Sequence, residues 1–381
     1  MDMVIEGCRA VVPSGVIEGA SVYIRDGIIE EVSRGAIRGC EKKIPADGLY
    51  MMPGFIDIHS DAIEREISPR PNVFFPVNIA LFELDKRLAA SGITTIFHSL
   101  SFSEGEIGIR SNRTVYDIIK EINRLKGALS INTMAHARYE ITDDGAVTYL
   151  RRLIRDRQIH LLSIMDHTPG QGQFREVTSY KDYFGKMYDK TETELDRIIE
   201  QKIESKGKIN GNVEELIHAC RQSGVPMASH DDDSPEKIRW LKENGIGISE
   251  FPVNMEVAGA AGDEGIRVCL GAPNVLRGNS QANNLSARDA IKEGCGDILC
   301  SDYTPMAMLH AVFTLVNLKI LSLSDAVRML SLNPARAVGI GTERGSIEEG
   351  KRADMMLVDI KGEVPAIVRT FVSGNEVYRR A

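Results

Sequence analysis

Apolar and polar positions along this chain fall into two regimes. Over residues 1–52 short β-branched runs alternate with tight turns, and no helical period appears. Within SVYIRDGIIEEVS the pair Asp26-Gly27 separates two such runs, which predicts a hairpin. The last stretch, 341–381, returns to this style in RADMMLVDI and AIVRTFVSGNEVY, so both chain ends are expected to build one small β-sandwich. Between them, over 53–340, apolar strand-like runs alternate with helical stretches, the pattern of a parallel α/β fold. The runs are FIDIHS, ITTIFHSL, LSINTMAHARYE, LLSIMDH, PMASHDD, GISEFPV, VCLGAP and ILCSDY. Eight of them over about 250 residues is the count of a (β/α)8 TIM-type barrel. The gap from Gly170 to Val225 exceeds what one crossover needs. Its content, TETELDRIIEQKIESKGK, predicts inserted helices over about 171–225 with a solvated, charged face.

Composition sharpens this picture mainly by exclusion. The 381 residues are 43% hydrophobic and 26% charged, with a formal net charge of −8. That balance suits a soluble globular protein and argues against nucleic-acid or membrane-surface binding. An anionic substrate would therefore need a local cluster of Arg or Lys. The six cysteines are scattered without a CxxC pair and read as reduced thiols of a cytoplasmic protein. MDMVIEGCRA lacks the basic start and apolar run of a signal peptide. AVFTLVNLKILSL is too short for a membrane span and is broken by Asn317 and Lys319. No stretch marks a subunit interface, although a homodimer, the commonest oligomer, remains open.

Chemistry concentrates at the ends of the strand-like runs. His59 and Asp61 close the first run, Glu140 the third, His167 the fourth, His230 the fifth and Asp302 the eighth. In a parallel barrel these ends share one rim, where active sites lie. Imidazoles and carboxylates together are the ligands of borderline or hard divalent metals. Six ligands exceed one tetrahedral site, so two ions sharing a bridging carboxylate are expected. His136, Arg138 and Glu140 alternate in HARYE and so share one face, where buried charge is costly unless paired or metal-bound. Glu140 is best explained as a ligand, Arg138 as its partner or an anion's, and His136 fits either purpose. His98, His160, His218 and His310 have no partners in register and read as structural. Asp57 is either a strand brace or a support for a ligating histidine. In DDDSP, Ser234 or Asp233 is expected to cap a helix that carries Pro235 in its first turn.

With those residues in hand, the chain resembles the amidohydrolase superfamily. MPGFIDIHSD, SDYTP and NPARAVGI followed by RGSIEEGKRADMMLVD are similar to that superfamily's opening metal strand, last-strand Asp and return to the β-sandwich. More narrowly, GFIDIHSDAIE, SPRP, ASGITT, MDHTPGQGQF, ASHDD, GAPNVLRG and SDYTP resemble its branch of phosphonate-pathway diphosphatases. The resemblance implies two divalent ions (Zn, Mn, Mg or Fe), with Asp302 as both ligand and general base. It implies a small-molecule substrate, α-D-ribose 1-methylphosphonate 5-triphosphate, hydrolysed to the 5-phosphate and pyrophosphate. Arg70, Arg138 and Arg277, with Asn274 and His136, are the expected anion-binding residues. Where many amidohydrolases carry His-x-His, this chain has His59-x-Asp61, and Glu140 stands in for a carboxylated fourth-strand Lys. More carboxylate hardens the site towards Mn or Mg. Two alternatives stay open: hydrolysis of a cyclic amide or N-acyl group by the same centre, and a non-catalytic scaffold.

Overall fold

The computed structural model describes residues 2–37, 39–70, 72–104, 109–167, 209–280, 284–361 and 364–380. The first five strands, β1 (Met3–Val12), β2 (Gly15–Arg25), β3 (Ile28–Arg34), β4 (Lys43–Pro45) and β5 (Tyr50–Pro53), belong to one sheet. Asp26 and Gly27 join β2 to β3 with φ of 49° and 81°. Two positive φ values in succession are what a two-residue type I′ hairpin turn requires, so the expected turn is present.

Eight strands follow: β6 (Phe55–Ser60), β7 (Ile93–Phe102), β8 (Asn132–Glu140), β9 (Leu161–Met165), β10 (Met227–His230), β11 (Ile248–Glu250), β12 (Arg267–Gly271) and β13 (Ile298–Cys300). They pair in sequence order, all parallel, as the alternating apolar runs predict. Closure between β6 and β13 is made by a bridge from Ser60 to Asp302. There the Asp302 N–H donates to His59 O at 3.0 Å and the Asp61 N–H donates to Asp302 O at 2.8 Å. Helices cover the outside. The Asn112–Leu125 helix turns Val115, Ile118, Ile119 and Ile122 inward, and its N-cap Ser111 accepts from Thr114 N–H. Such a stripe and cap are the usual means of docking a helix on a sheet. At Gly92, which leads into β7, φ is +76° and the Met356 side chain leaves no room for a Cβ.

The chain then returns to the first sheet with β14 (Met355–Asp359), β15 (Ala366–Val372) and β16 (Asn375–Arg379). The order is β16-β15-β14-β5-β1-β2-β3, with β4 beside β1. The seam between the chain ends is the antiparallel pairing of β14 with β5, Met355 opposite Pro53 and Val358 opposite Tyr50. Ile5, Val22, Ile24, Met355 and Phe371 form the core of this layer, which is separate from the barrel's.

Of the helical insert expected over 171–225, residues 171–208 lie outside the described residues. Ile209–Ser223 is a helix that buries Leu216, Ile217 and Cys220. All six cysteines are free. Among the described residues no helix is long and apolar enough to cross a membrane.

Candidate metal centre

Because the barrel strands are parallel, every C-terminal end opens on the same rim. His59 is the fifth residue of β6 and is buried. Its Nδ1 lies 3.0 Å from Glu250 Oε1 at the end of β11, and the edge of the Phe251 ring stands against it. The second oxygen of Glu250 accepts from the Ser163 hydroxyl of β9 at 2.7 Å. Burial by itself would raise the Glu250 carboxyl, but the His59 and His136 imidazoles outweigh it and hold the group well below the usual carboxylate range. Reciprocally, burial would lower His59, and the Glu250 carboxylate lifts it above its ordinary value.

A second cluster adjoins the first through His230. That residue ends β10, and Asp231 follows it with φ of 52°, a left-handed turn that folds the carboxylate back on its neighbour. Asp231 Oδ2 stands 3.1 Å from His230 Nδ1 and 3.7 Å from His167 Nε2. His167 Nδ1 lies 3.1 Å from Glu140 Oε2, and the Thr142 hydroxyl donates to the other oxygen of Glu140. Burial opposes a charge on His167, yet Asp231 and Glu140 raise it to about 9. On the closing strand, Asp302 is pushed up to about 7, first by burial and then by the neighbouring Asp61 carboxylate.

Donor atoms meet in three overlapping groups, each within 4.8 Å: His59, His230 and Glu250; His167, His230 and Asp231; and His59, Asp61 and Asp302. Buried polar atoms without a hydrogen bond fit this rim to a divalent cation: Nδ1 of His230 faces Asp231 Oδ2 without hydrogen-bond alignment, and Nε2 of His136, outside the three groups, stands 4.0 Å from Glu250 Oε1. The donors are carboxylate oxygens and imidazole nitrogens, the set that Zn, Mn or Fe accepts.

All six expected ligands, His59, Asp61, Glu140, His167, His230 and Asp302, thus lie at this rim, in hydrogen bonds, ion pairs or donor groups with one another or with Glu250 and Asp231. Arg138 is buried there, but it faces Asp61 at 3.0 Å, with Glu140 turned to His167. His136 donates its Nδ1–H to Ile58 O at 3.0 Å, with the Ser99 hydroxyl 3.1 Å from the same nitrogen, and burial drops it to about 3. Asp57 braces the barrel seam: its Oδ1 accepts the Ser301 N–H at 3.0 Å. Arg70 and Arg277 are exposed on connections that follow β6 and β12. Asn274 spends both polar atoms inside its own loop, donating to Leu285 O and accepting from Ala287 N–H. Ser234, not Asp233, caps the Pro235–Glu243 helix.

Two rim residues lie outside the six expected ligands. Glu250 stands in GISEFPV, a lone carboxylate inside an apolar strand, and the cost of burying it unpaired was the available signal. Asp231 was hidden in the run DDDSP, where helix capping accounts equally well for an acid. Near the same rim, Arg110 binds Glu64 Oε2 through two N–H groups, and Arg65 lies over the Tyr303 ring at 5.2 Å.

The amidohydrolase family model matches residues 114–377. The chain is 29% identical over 382 residues to the alpha-D-ribose 1-methylphosphonate 5-triphosphate diphosphatase of Escherichia coli (strain K12), covering 99% of this chain and 100% of that protein. It is 21% identical over 381 residues to an imidazolonepropionase of Thermoanaerobacter pseudethanolicus, covering 90% and 85%. Among solved structures, the dihydropyrimidinase of Brevibacillus agri matches with a TM-score of 0.62 at 16% identity, over 100% of this chain and 95% of that one.

Proposed function

The chain belongs to the amidohydrolase family, and on that footing we propose that it is a metal-dependent diphosphatase of phosphonate breakdown. Its substrate would be α-D-ribose 1-methylphosphonate 5-triphosphate. Water adds across one phosphoanhydride, the bridging P–O bond breaks, and the products are the 5-phosphate and pyrophosphate. The observation that carries this is the 29% identity that runs the full length of the E. coli diphosphatase, alongside an acid- and imidazole-lined rim.

His59, Asp61, Glu140, His167, His230 and Asp302, joined by Glu250 and Asp231, would hold divalent metal. Bound there, the metal supplies a more acidic water and positive charge for anionic oxygens. With five carboxylates against three imidazoles, this donor set favours Mn or Mg over Zn. Asp302, on the closing strand beside His59 and Asp61, would act as the general base that takes the water's proton. Pyrophosphate leaves readily, so the protein's task is to neutralise charge and align the reacting groups. Arg70 and Arg277, exposed and with planar guanidinium forks, would be the anion-holding residues.

Similarity to an imidazolonepropionase over 90% of this chain and 85% of that protein supports a second reading, opening of a cyclic amide by the same centre. One experiment separates the two. Metal-loaded protein is incubated with the ribosyl triphosphate, and in parallel with hydantoins and dihydroorotate, under phosphorus NMR and ring-absorbance monitoring. Pyrophosphate release is expected; orthophosphate alone, or turnover only of the ring substrates, rejects the diphosphatase.

A further inference from the structure

The short helix Ala62–Ile67 leaves the rim directly after Asp61. Four charged side chains lie between Asp61 and Ile67, namely Asp61, Glu64, Arg65 and Glu66. Three of them are matched: Asp61 pairs with Arg138, Glu64 with Arg110 and Glu66 with Arg87. Arg65 is not. Its exposed side chain has no ion pair or hydrogen bond among the described residues, and its guanidinium carbon lies 5.2 Å from the centroid of the Tyr303 ring. Tyr303 is half-buried, follows Asp302 in the chain, and its hydroxyl likewise has no hydrogen-bond partner among the described residues.

This arrangement leaves donors available at a defined place. A cation over an aromatic face is held by the ring's electrons. The stack occupies the flat face of the guanidinium, while its five N–H groups lie in the plane and point away from the ring. Stacking also restricts a side chain that would otherwise sample many rotamers, so less freedom remains to be lost when a ligand docks. The acids nearest to it along the helix are each occupied by another arginine, which keeps Arg65 from being neutralised inside the protein. Its positive charge nevertheless reaches the Asp302 carboxyl, so the pair stands beside the closing strand of the centre. In a chain of net charge −8, a rim rich in carboxylates repels a polyanion unless cations of this kind offset it.

We propose that the stacked Arg65–Tyr303 pair is a phosphate clamp at the lip of the centre, a specificity-determining element additional to Arg70 and Arg277. The in-plane N–H groups of Arg65 hold two non-bridging oxygens of one phosphate group, and the Tyr303 O–H donates to the same group. The proposal deepens the diphosphatase reading and rests on it for the identity of the substrate, whereas binding of an inorganic polyphosphate does not depend on turnover.

The test is calorimetric titration of Mn-loaded protein with inorganic triphosphate, with retained metal counted before and after, beside KM and kcat for the ribosyl triphosphate. Arg65→Ala should weaken triphosphate binding about 10- to 100-fold and raise KM by a similar factor with little change in kcat. Arg65→Lys, which keeps the charge without the planar fork, should lose part of this affinity. Tyr303→Phe, which keeps the stack and lacks the hydroxyl, should lose less than Tyr303→Leu, which removes both. Arg124→Ala is the control for net charge: Arg124 pairs with Glu121 in the last turn of the Asn112–Leu125 helix, and its removal should change nothing. Unaltered triphosphate affinity in Arg65→Ala overturns the proposal. So does an equal loss in Arg124→Ala, because net charge would then be the cause. Wild-type affinity in Arg65→Lys rejects the fork, and a wild type that does not bind triphosphate rejects the clamp outright. Weaker triphosphate binding by Arg65→Ala, in a protein whose wild type fails to cleave the ribosyl triphosphate, would reject the diphosphatase and leave the clamp standing.

Discussion

Replacing Glu250 by Gln tests how the centre is held. The carboxylate is fully buried, accepts from His59 Nδ1 at 3.0 Å, and is itself fixed by the Ser163 hydroxyl at 2.7 Å. This arrangement keeps the His59 proton on Nδ1 and leaves Nε2 with its lone pair outward, the form a metal needs. Gln has nearly the same shape and retains one acceptor oxygen, so the fold should survive. What it loses is the charge, which roughly doubles the strength of such a bond. Removing a partner of this kind weakens metal affinity about 10- to 100-fold, on the order of 1.4–2.8 kcal/mol. Chelator competition on the loaded protein measures it directly. Ser163→Ala should show a smaller effect in the same direction, since it removes one neutral hydrogen bond worth about 1 kcal/mol. Proton NMR adds an independent sign. In metal-free wild type the Glu250 carboxylate lifts His59 against the effect of burial. In Glu250→Gln the leading upward contribution is lost and the His59 titration should move down. An unchanged dissociation constant together with an unmoved His59 resonance would refute the coupling.

Two further outcomes are expected. Arg277→Ala should raise KM for the triphosphate by about one to two orders of magnitude with little change in kcat, roughly 1.5–3 kcal/mol of lost binding; an unchanged KM removes Arg277 from the site. His98 is buried on the face of β7 that also carries Ile96 and Leu100, and burial pushes it from 6.5 to about 3. Its folded pKa is thus depressed, so the unfolded chain takes up a proton below about 6.5 that the native state refuses until about 3. Stability is complete above that window and lost as pH falls through it, by about 3 kcal/mol at about pH 4. Urea unfolding should show His98→Leu losing less stability than wild type between about pH 7 and about pH 4, and equal losses would refute the assignment.

Much of the molecule was legible along the chain. A parallel strand buried on both faces reads as an apolar run, and each of the eight runs overlaps the barrel strand it predicted, β6 residue for residue. The Asp26-Gly27 turn was equally legible, because positive φ at successive positions restricts the choice of residue. Strand-end His59, Asp61, Glu140, His167, His230 and Asp302 stood out because an ionisable group after apolar residues needs a reason to be there. Glu250 and Asp231 did not, since one resembled an isolated strand acid and the other a helix cap.

What only the tertiary structure decided is which charges meet. Arg138 could have paired with Glu140, two residues away on its own strand face, yet it reaches across to Asp61 and His230. Asn274 looked like a ligand for an anion until its loop closed on it. Periodicity acts within one element, so the sequence alone could assign each residue to a strand, a face and an end. Pairing depends on the separation of side chains on different strands, set by barrel closure at Ser60 and Asp302 and by backbone turns such as that at Asp231. Coulomb energy varies with those few ångströms and with burial, and neither quantity exists until the chain has folded.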